Sequence, residues 1–139
     1  MLAVNTIEFL EELPAEDRAR LAMCLHREVL TQGETLYETG RPVTHVYIPL
    51  TAEVEERLPL SDGHWEPLGR IGRGEFVGGA MLADPVAKRT ALVIQSGDAW
   101  CMSYADFAGL IEASSPFRSW VMQQALRTSL INLHKFTEA

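Results

Sequence analysis

The order of hydrophobic and polar positions divides the chain into a helical lead, a region of short strands and a helical end. Near the start, Leu21 and Leu25 lie one turn apart on a segment that Pro14 opens, and proline suits the first turn of a helix. The middle region alternates hydrophobic with polar residues in short segments that turn residues separate. About eight short strands at this spacing predict an eight-stranded antiparallel jelly-roll barrel. We therefore expect an α+β, mainly β fold. Its parts are predicted at 1–26 (N-terminal helices), 27–103 (barrel) and 104–139 (C-terminal helices).

Two helices are predicted after the barrel. The segment from Tyr104 to Ala113 carries its large hydrophobic residues at helical spacing, and the last helix is expected from Phe117 to about Phe136. The hydrophobic stripe of this last helix is wider than one packing partner requires. We expect it either to dock within the chain or to pair with a second copy in a homodimer. The residues predicted to face the second copy are Met122, Leu126, Ser129, Leu130 and Leu133.

Length and charge narrow the classes of function. With 139 residues, the chain is predicted to form one domain, and its net charge is −7 with 12 Lys and Arg residues scattered along it. Binding to a phosphate backbone needs clustered basic residues, so we expect no direct binding of nucleic acid. No hydrophobic run reaches the roughly 18 residues of a membrane span, and the first residues do not form a leader, so we expect a cytoplasmic protein that binds no membrane.

Candidate catalytic and metal-binding residues are few. Cys24 and Cys101 lie far apart in hydrophobic segments, which is typical of buried thiols. The histidines show no pairing at ligand spacing: His26, His45, His64 and His134. No nucleophile lies beside a base in the sequence pattern. We therefore expect no metal site and no enzymatic activity.

Three segments of the chain carry a resemblance to a known family. They are "FLEELPAEDRARLA", "QGETLYETGRPVTHVYIPLTAEVEERL" and "SYADFAGLIEASSPF". In order and spacing, they resemble the cyclic-nucleotide-binding domain of the catabolite activator and FNR-type regulators. This resemblance implies a phosphate-binding cassette, in which the amides of a short helix and an arginine hold the cyclic phosphate. It also implies that a glutamate after the cassette glycine accepts the ribose 2′-hydroxyl.

The stretch "GRGEFVGGAMLADPVAKRTA" holds the matching residues. Phe76, Val77 and Gly78 match the start of the cassette, and "RTA" at 89–91 matches its end. The family's glutamate falls on Gly79, because the family separates it from the arginine by about ten positions. Using Glu75 instead would lengthen that separation by about a helical turn. The resemblance therefore implies an intact phosphate half and a missing sugar half. The implied anion-binding residues are Gly78, Gly79, Ala80, Arg89, Thr90 and Ala91.

Some site residues have alternative interpretations. The family's long helix often presents a Thr-Ser pair to the base, and Thr128 and Ser129 resemble it, although counting along the chain places these contacts about one turn later, near Asn132. For Arg89 there are two interpretations, an anion ligand or the ion-pair partner of a surface acid such as Asp84.

Three functions follow as expectations. The first is a regulatory, signal-transducing module that senses a cyclic nucleotide or another small anion, with weak or altered cyclic-nucleotide binding, and that pairs with itself or a protein partner. The second is the sensor domain of a Crp/Fnr-type transcription regulator that lacks its helix-turn-helix, since this chain contains no segment that matches a DNA-binding domain. The third is an interaction scaffold that binds no ligand. For all three, we expect no cofactor other than a cyclic nucleotide or another small anion.

Overall fold

The computed structural model describes residues 13–78 and 85–123. The chain begins there with one helix, continues through seven strands and ends in two helices. The elements are α1 (Ala15–Cys24), β1 (His26–Leu30), β2 (Thr35–Tyr37), β3 (His45–Pro49), β4 (Glu53–Pro59), β5 (Trp65–Ile71), β6 (Thr90–Gln95), β7 (Gly97–Ser103), α2 (Tyr104–Ala113) and a further helix, α3, over 115–123. None of the helices in these residues is long and apolar enough to cross a membrane.

The strands form two antiparallel sheets. One has the order β1-β7-β3 and the other has the order β2-β6-β4-β5. Two isolated bridges add to them, Pro42 with Val86 and Tyr47 with Val77. The predicted mainly β antiparallel fold is confirmed, whereas the described residues contain seven strands where eight were expected.

Two hydrophobic clusters lie on opposite faces of the β1-β7-β3 sheet. The inner cluster fills the space between the sheets and includes Tyr37, Tyr47 and Cys101. The outer cluster joins alternate residues of β3 and β7, such as Ile48 and Met102, to the helices. Because β3 and β7 are buried on both faces, their sequences read as continuous hydrophobic runs instead of alternating ones.

The helices are held by caps and by aromatic contacts. Ser103 precedes α2, and its hydroxyl accepts a hydrogen bond from the backbone N–H of Asp106 at 3.1 Å. The Ser114 hydroxyl accepts one from the N–H of Phe117 at 3.1 Å. This cap starts α3 at residue 115, two residues before the predicted start at Phe117. The ring of Phe76, which leads into the glycine segment, packs against Trp120 of α3 with ring centroids 4.5 Å apart.

Candidate functional site

Arg89 lies at the entrance to β6, where its side chain points to an interior carboxylate. Its Nη1 atom is 3.3 Å from Oε1 of Glu56 on β4. Glu56 is only 8% exposed, whereas the side chain of Arg89 is 32% exposed. Arg89 therefore reaches from the surface to a buried acid. The alternative partner considered from the sequence, Asp84, lies outside the described residues.

The second oxygen of Glu56 is also bonded. The Tyr37 hydroxyl donates a hydrogen bond to Glu56 Oε2 at 2.8 Å. Burial raises the pKa of the Tyr37 phenol well above its ordinary value, and the neighbouring charge of Glu56 raises it further. Tyr37 therefore stays protonated and serves as a permanent donor. The carboxylate of Glu56 is held between a neutral donor and a cationic one.

Strand register explains how Tyr37 and Glu56 meet. Both residues pair with Ala91 of β6, Tyr37 from β2 on one side and Glu56 from β4 on the other. The three side chains therefore form one row across the sheet on its inner face. Ala91 is fully buried in the middle of this row. Its methyl group is small enough for the tyrosine to extend over it to the carboxylate.

Thr90 is bonded within the chain as well. Its Oγ1 atom accepts a hydrogen bond from the backbone N–H of Thr39 at 3.1 Å and lies 3.0 Å from Thr39 Oγ1. Thr90 is 8% exposed. The hydroxyl group of Thr90 therefore connects the start of β6 to the loop after β2 through hydrogen bonds.

Gly78 opens the glycine segment beside Tyr37. Its backbone has a φ of +99°, a conformation that favours glycine. A backbone hydrogen bond from Gly78 to Tyr37 partly offsets the rise in the tyrosine pKa. One residue earlier, Val77 pairs with Tyr47 through two backbone hydrogen bonds of 2.8 and 3.0 Å. The register of the cassette stays a prediction, because Gly79 lies outside the described residues.

Glu75, the alternative sugar-binding acid, turns back on its own loop. It is exposed, and its Oε1 atom accepts a hydrogen bond from the N–H of Gly72 at 3.2 Å. The structure thus places Gly78, Arg89, Thr90 and Ala91 around Tyr37 and Glu56. Outside the described residues lie the remaining predicted ligand and base contacts: Gly79, Ala80, Thr128, Ser129 and Asn132.

The predicted dimer helix is described only in its first part. Met122 is 57% exposed there. The other predicted dimer residues lie outside the described part of the chain: Leu126, Ser129, Leu130 and Leu133. Pairing through this helix stays a prediction.

Tyr37 and Glu56 were missed by the sequence analysis. One signal for Glu56 was available, because "EVEER" alternates so that Glu56 shares the face of Val54, a core position. A charged residue at an inward position of a strand indicates a buried partner. The partners of Glu56 are Tyr37 and Arg89, which lie 19 and 33 residues away along the chain. No local pattern identifies partners at such separations.

Comparison with known proteins finds a matching family and solved structures of the same fold. The family model of the cyclic nucleotide-binding domain matches residues 27–114. No curated protein matches the chain. Solved structures of the same fold include the sensor domain of the transcriptional regulator DNR from Pseudomonas aeruginosa, with a TM-score of 0.72 and 16% identity over 94% of this chain and 92% of that one.

Two larger proteins share the fold as well. The c-di-GMP-responsive global regulator CLP of Xanthomonas campestris has a TM-score of 0.71 and 20% identity, and the match covers 89% of this chain but 63% of that one. The regulatory subunit of a cAMP-independent protein kinase A from Trypanosoma brucei has a TM-score of 0.75 and 18% identity, over 88% of this chain and 44% of that one. This chain thus spans less than two thirds of either protein.

Proposed function

Because the chain belongs to the cyclic nucleotide-binding domain family, we propose that it is a regulatory sensor module that takes a small anionic ligand at Gly78–Ala80 and Arg89–Ala91 and binds cyclic nucleotides weakly. One observation carries the proposal: the cassette arginine is already paired with the buried carboxylate of Glu56. The role is regulatory and not catalytic, and the ligand would act by shifting a conformational equilibrium.

The pairing lowers the attraction of the site for a phosphate. An anion that reaches the Arg89 guanidinium also comes close to the negative charge of Glu56. At an effective dielectric constant near 20, two like charges about 5 Å apart repel by about 3 kcal/mol. Repulsion of this size offsets much of the attraction that Arg89 provides. A ligand that donates a hydrogen bond to Glu56 while its anionic group meets Arg89 suits the site better than a bare phosphodiester.

The missing sugar contact weakens cyclic-nucleotide binding further. In the predicted register, the position that should present a carboxylate to the ribose is Gly79, which has no side chain. A hydrogen bond between a ligand hydroxyl and a charged acceptor contributes about 1.5–3 kcal/mol, which is roughly tenfold to a hundredfold in affinity. Selectivity for a ribose should therefore suffer more than anion binding does.

Calorimetric titration with cAMP and cGMP tests the proposal. We expect the unmodified chain to bind both more weakly than about 10 µM, and Gly79→Glu to tighten cAMP binding roughly tenfold to a hundredfold. Arg89→Gln, made in the Gly79→Glu chain, should remove that gain. Binding of cAMP by the unmodified chain at micromolar or lower concentration would contradict the weak-binding proposal.

A second candidate is the sensor part of a transcription regulator. It is supported by the fold shared with the Pseudomonas sensor domain and by the greater length of the Xanthomonas regulator. Reading the gene downstream of the codon for Ala139 tests it, because this candidate requires a DNA-binding domain there. A stop codon at that point would exclude it.

A third candidate, an interaction scaffold without a ligand, is supported by the internal partners of Arg89 and Thr90. A thermal-shift screen with nucleotides, cyclic dinucleotides and small organic anions separates it from a sensor. A sensor should show an anion-dependent rise in melting temperature that Arg89→Gln abolishes. A scaffold should show no rise with any of these anions.

A further inference from the structure

Three side chains of metal-binding types meet at the edge of the β1-β7-β3 sheet. His26 and Glu28 lie two residues apart on β1, so both point to the same face. Cys101 of β7 lies directly opposite His26 in the antiparallel pairing, which places its side chain on that face as well. The nitrogen, oxygen and sulfur atoms of the three residues all lie within 4.8 Å of one another.

The separation between His26 and Glu28 suits two ligands of a tetrahedral ion. The His26 Nε2 atom is 3.2 Å from Glu28 Oε1. Two ligand atoms on bonds of about 2.0–2.1 Å at a tetrahedral angle are about 3.3 Å apart, and a sulfur ligand lies about 3.5 Å from either. Cys101 is fully buried and fixed in the core, whereas the side chains of His26 and Glu28 are 54% and 44% exposed. The two exposed side chains can therefore rotate to close the set around the fixed sulfur.

We propose that His26, Glu28 and Cys101 bind one zinc-class divalent ion at this edge, with water as the fourth ligand. Imidazole, carboxylate and thiolate together form a donor set that Zn²⁺ favours over the harder Mg²⁺ and Ca²⁺. The thiol loses its proton to solvent as the metal–sulfur bond forms. The carboxylate and thiolate charges then balance the charge of the ion.

The neighbour of Cys101 on its other side supports the site. Tyr47 of β3 pairs with Cys101 across β7, and the side chains of the two residues share a hydrogen bond. A hydrogen bond of this kind orients a sulfur ligand and restricts its rotation. The row from His26 through Cys101 to Tyr47 thus leads from the exposed edge into the core. The sequence did not indicate the site, because His26 and Cys101 lie far apart along the chain.

The chain contains a matched control. His64 and Asp62 form a comparable exposed pair in the turn after β4, with His64 Nδ1 3.2 Å from Asp62 Oδ2. The proposed site includes Cys101, whereas among the described residues the His64 pair has no thiol beside it. If a histidine–carboxylate pair could bind the ion without sulfur, His64→Gln would also reduce metal binding.

Titration of the untagged, reduced chain with Zn²⁺ tests the stoichiometry, and Co²⁺ reports on the sulfur ligand through its thiolate-to-cobalt absorption. We expect one equivalent of Zn²⁺ to bind at micromolar or lower concentration and Co²⁺ to give the thiolate band. His26→Gln and Glu28→Gln, which change exposed side chains, should each weaken binding at least tenfold. His64→Gln should leave binding unchanged.

Cys101→Ser should remove the cobalt band, and circular dichroism checks that this core variant is folded. If Cys101→Ser does not fold, weaker Zn²⁺ binding by His26→Gln and Glu28→Gln is the test of the proposed site. Absence of Zn²⁺ binding below about 100 µM, or equal binding by the unmodified chain, His26→Gln and Glu28→Gln, would overturn the proposal. A cobalt spectrum without the thiolate band would overturn it as well.

Discussion

Arg89 and Glu56 form an ion pair of 3.3 Å that joins the glycine-rich side of the barrel to its interior. The two side chains differ in burial, because that of Glu56 is buried while that of Arg89 is one-third exposed. Separating the pair would leave Glu56 with Tyr37 as its hydrogen-bond donor among the described residues. An uncompensated buried charge is costly, so the pairing with Glu56 opposes movement of Arg89 away from the interior.

In this arrangement, Glu56 competes with an external anion for the positive charge of Arg89. The stronger its pairing with Arg89, the less of the arginine's charge reaches an external anion. A ligand must either share the guanidinium with Glu56 or draw the arginine outward. In the second case, ligand binding is coupled to the packing of Tyr37, and through Gly78 to the glycine segment. Such coupling is what a sensor needs in order to convert occupancy into a change of shape.

Removal of the Glu56 charge should increase the affinity for anions. Glu56→Gln keeps an oxygen that accepts from Tyr37 but no longer repels a phosphate near Arg89. We expect anion affinity to rise roughly tenfold or more, at a cost in stability of about 1–2 kcal/mol. Calorimetry with cAMP and with inorganic phosphate, together with urea unfolding, measures both effects.

Glu55→Gln is the matched control for this variant. Glu55 is the neighbouring residue of β4, is also ion-paired, and has Arg57 as its partner. The Glu55→Gln variant removes the same formal charge from the same strand and leaves the Arg89–Glu56 pair intact. Equal gains in affinity for the two variants would show that only net charge matters and would contradict the competitor role of Glu56.

Local patterns were enough to predict the helix and strand types. The segment from Tyr104 to Ala113 was predicted as a helix with the bounds that α2 has. Alternation in β4 identified a strand with one buried face. The sequence predicted a cap in the "SSP" segment, and Ser114 is that cap, but α3 begins at residue 115, two residues before the predicted start. Local hydrogen bonds and periodicity therefore account for most of the fold that was predicted.

The inner rows of the barrel could not be predicted in this way. Tyr37 reaches Glu56 only because β2 and β4 both pair with β6 in the register that places Ala91 between them. Similarly, His26 meets Cys101 only through the pairing of β1 with β7. A shift of one residue in either register would turn these side chains to the opposite face. The resemblance to a family supplied Arg89, but its partner Glu56 follows from the pairing of β4 with β6.

Alkaline pH should destabilise the fold, because its buried tyrosines resist ionisation. Burial raises the pKa of Tyr47 as well as that of Tyr37, so both phenols stay protonated in the folded state above pH 10. The unfolded chain releases these protons near pH 10, so the stabilising effect is complete below that pH and is lost as the pH rises through it. We expect the free energy of unfolding to fall by about 1–3 kcal/mol between pH 9 and about pH 11.

Urea unfolding at several pH values measures this fall, and the ultraviolet absorbance of phenolate reports ionisation. Tyr37→Phe should reduce the pH dependence, because phenylalanine cannot ionise in the unfolded chain. The two tyrosines should ionise together with the loss of secondary structure. Normal ionisation of Tyr37 near pH 10 in a chain that is still folded would contradict its burial beside Glu56.

A methyl group at Gly97 should destabilise the fold. A Cβ atom built there would lie 2.5 Å from the backbone nitrogen of Ala52 and 2.6 Å from the carbonyl carbon of Thr51, and backbone atoms cannot rotate away as a side chain can. We expect Gly97→Ala to cost about 1–3 kcal/mol in urea unfolding, since the start of β7 must move away from the loop before β4. Gly72→Ala is the control, because a Cβ atom at Gly72 would meet no other atom within 4 Å. If both variants unfold at the same urea concentration as the unmodified chain, the close approach of Gly97 to this loop is wrong.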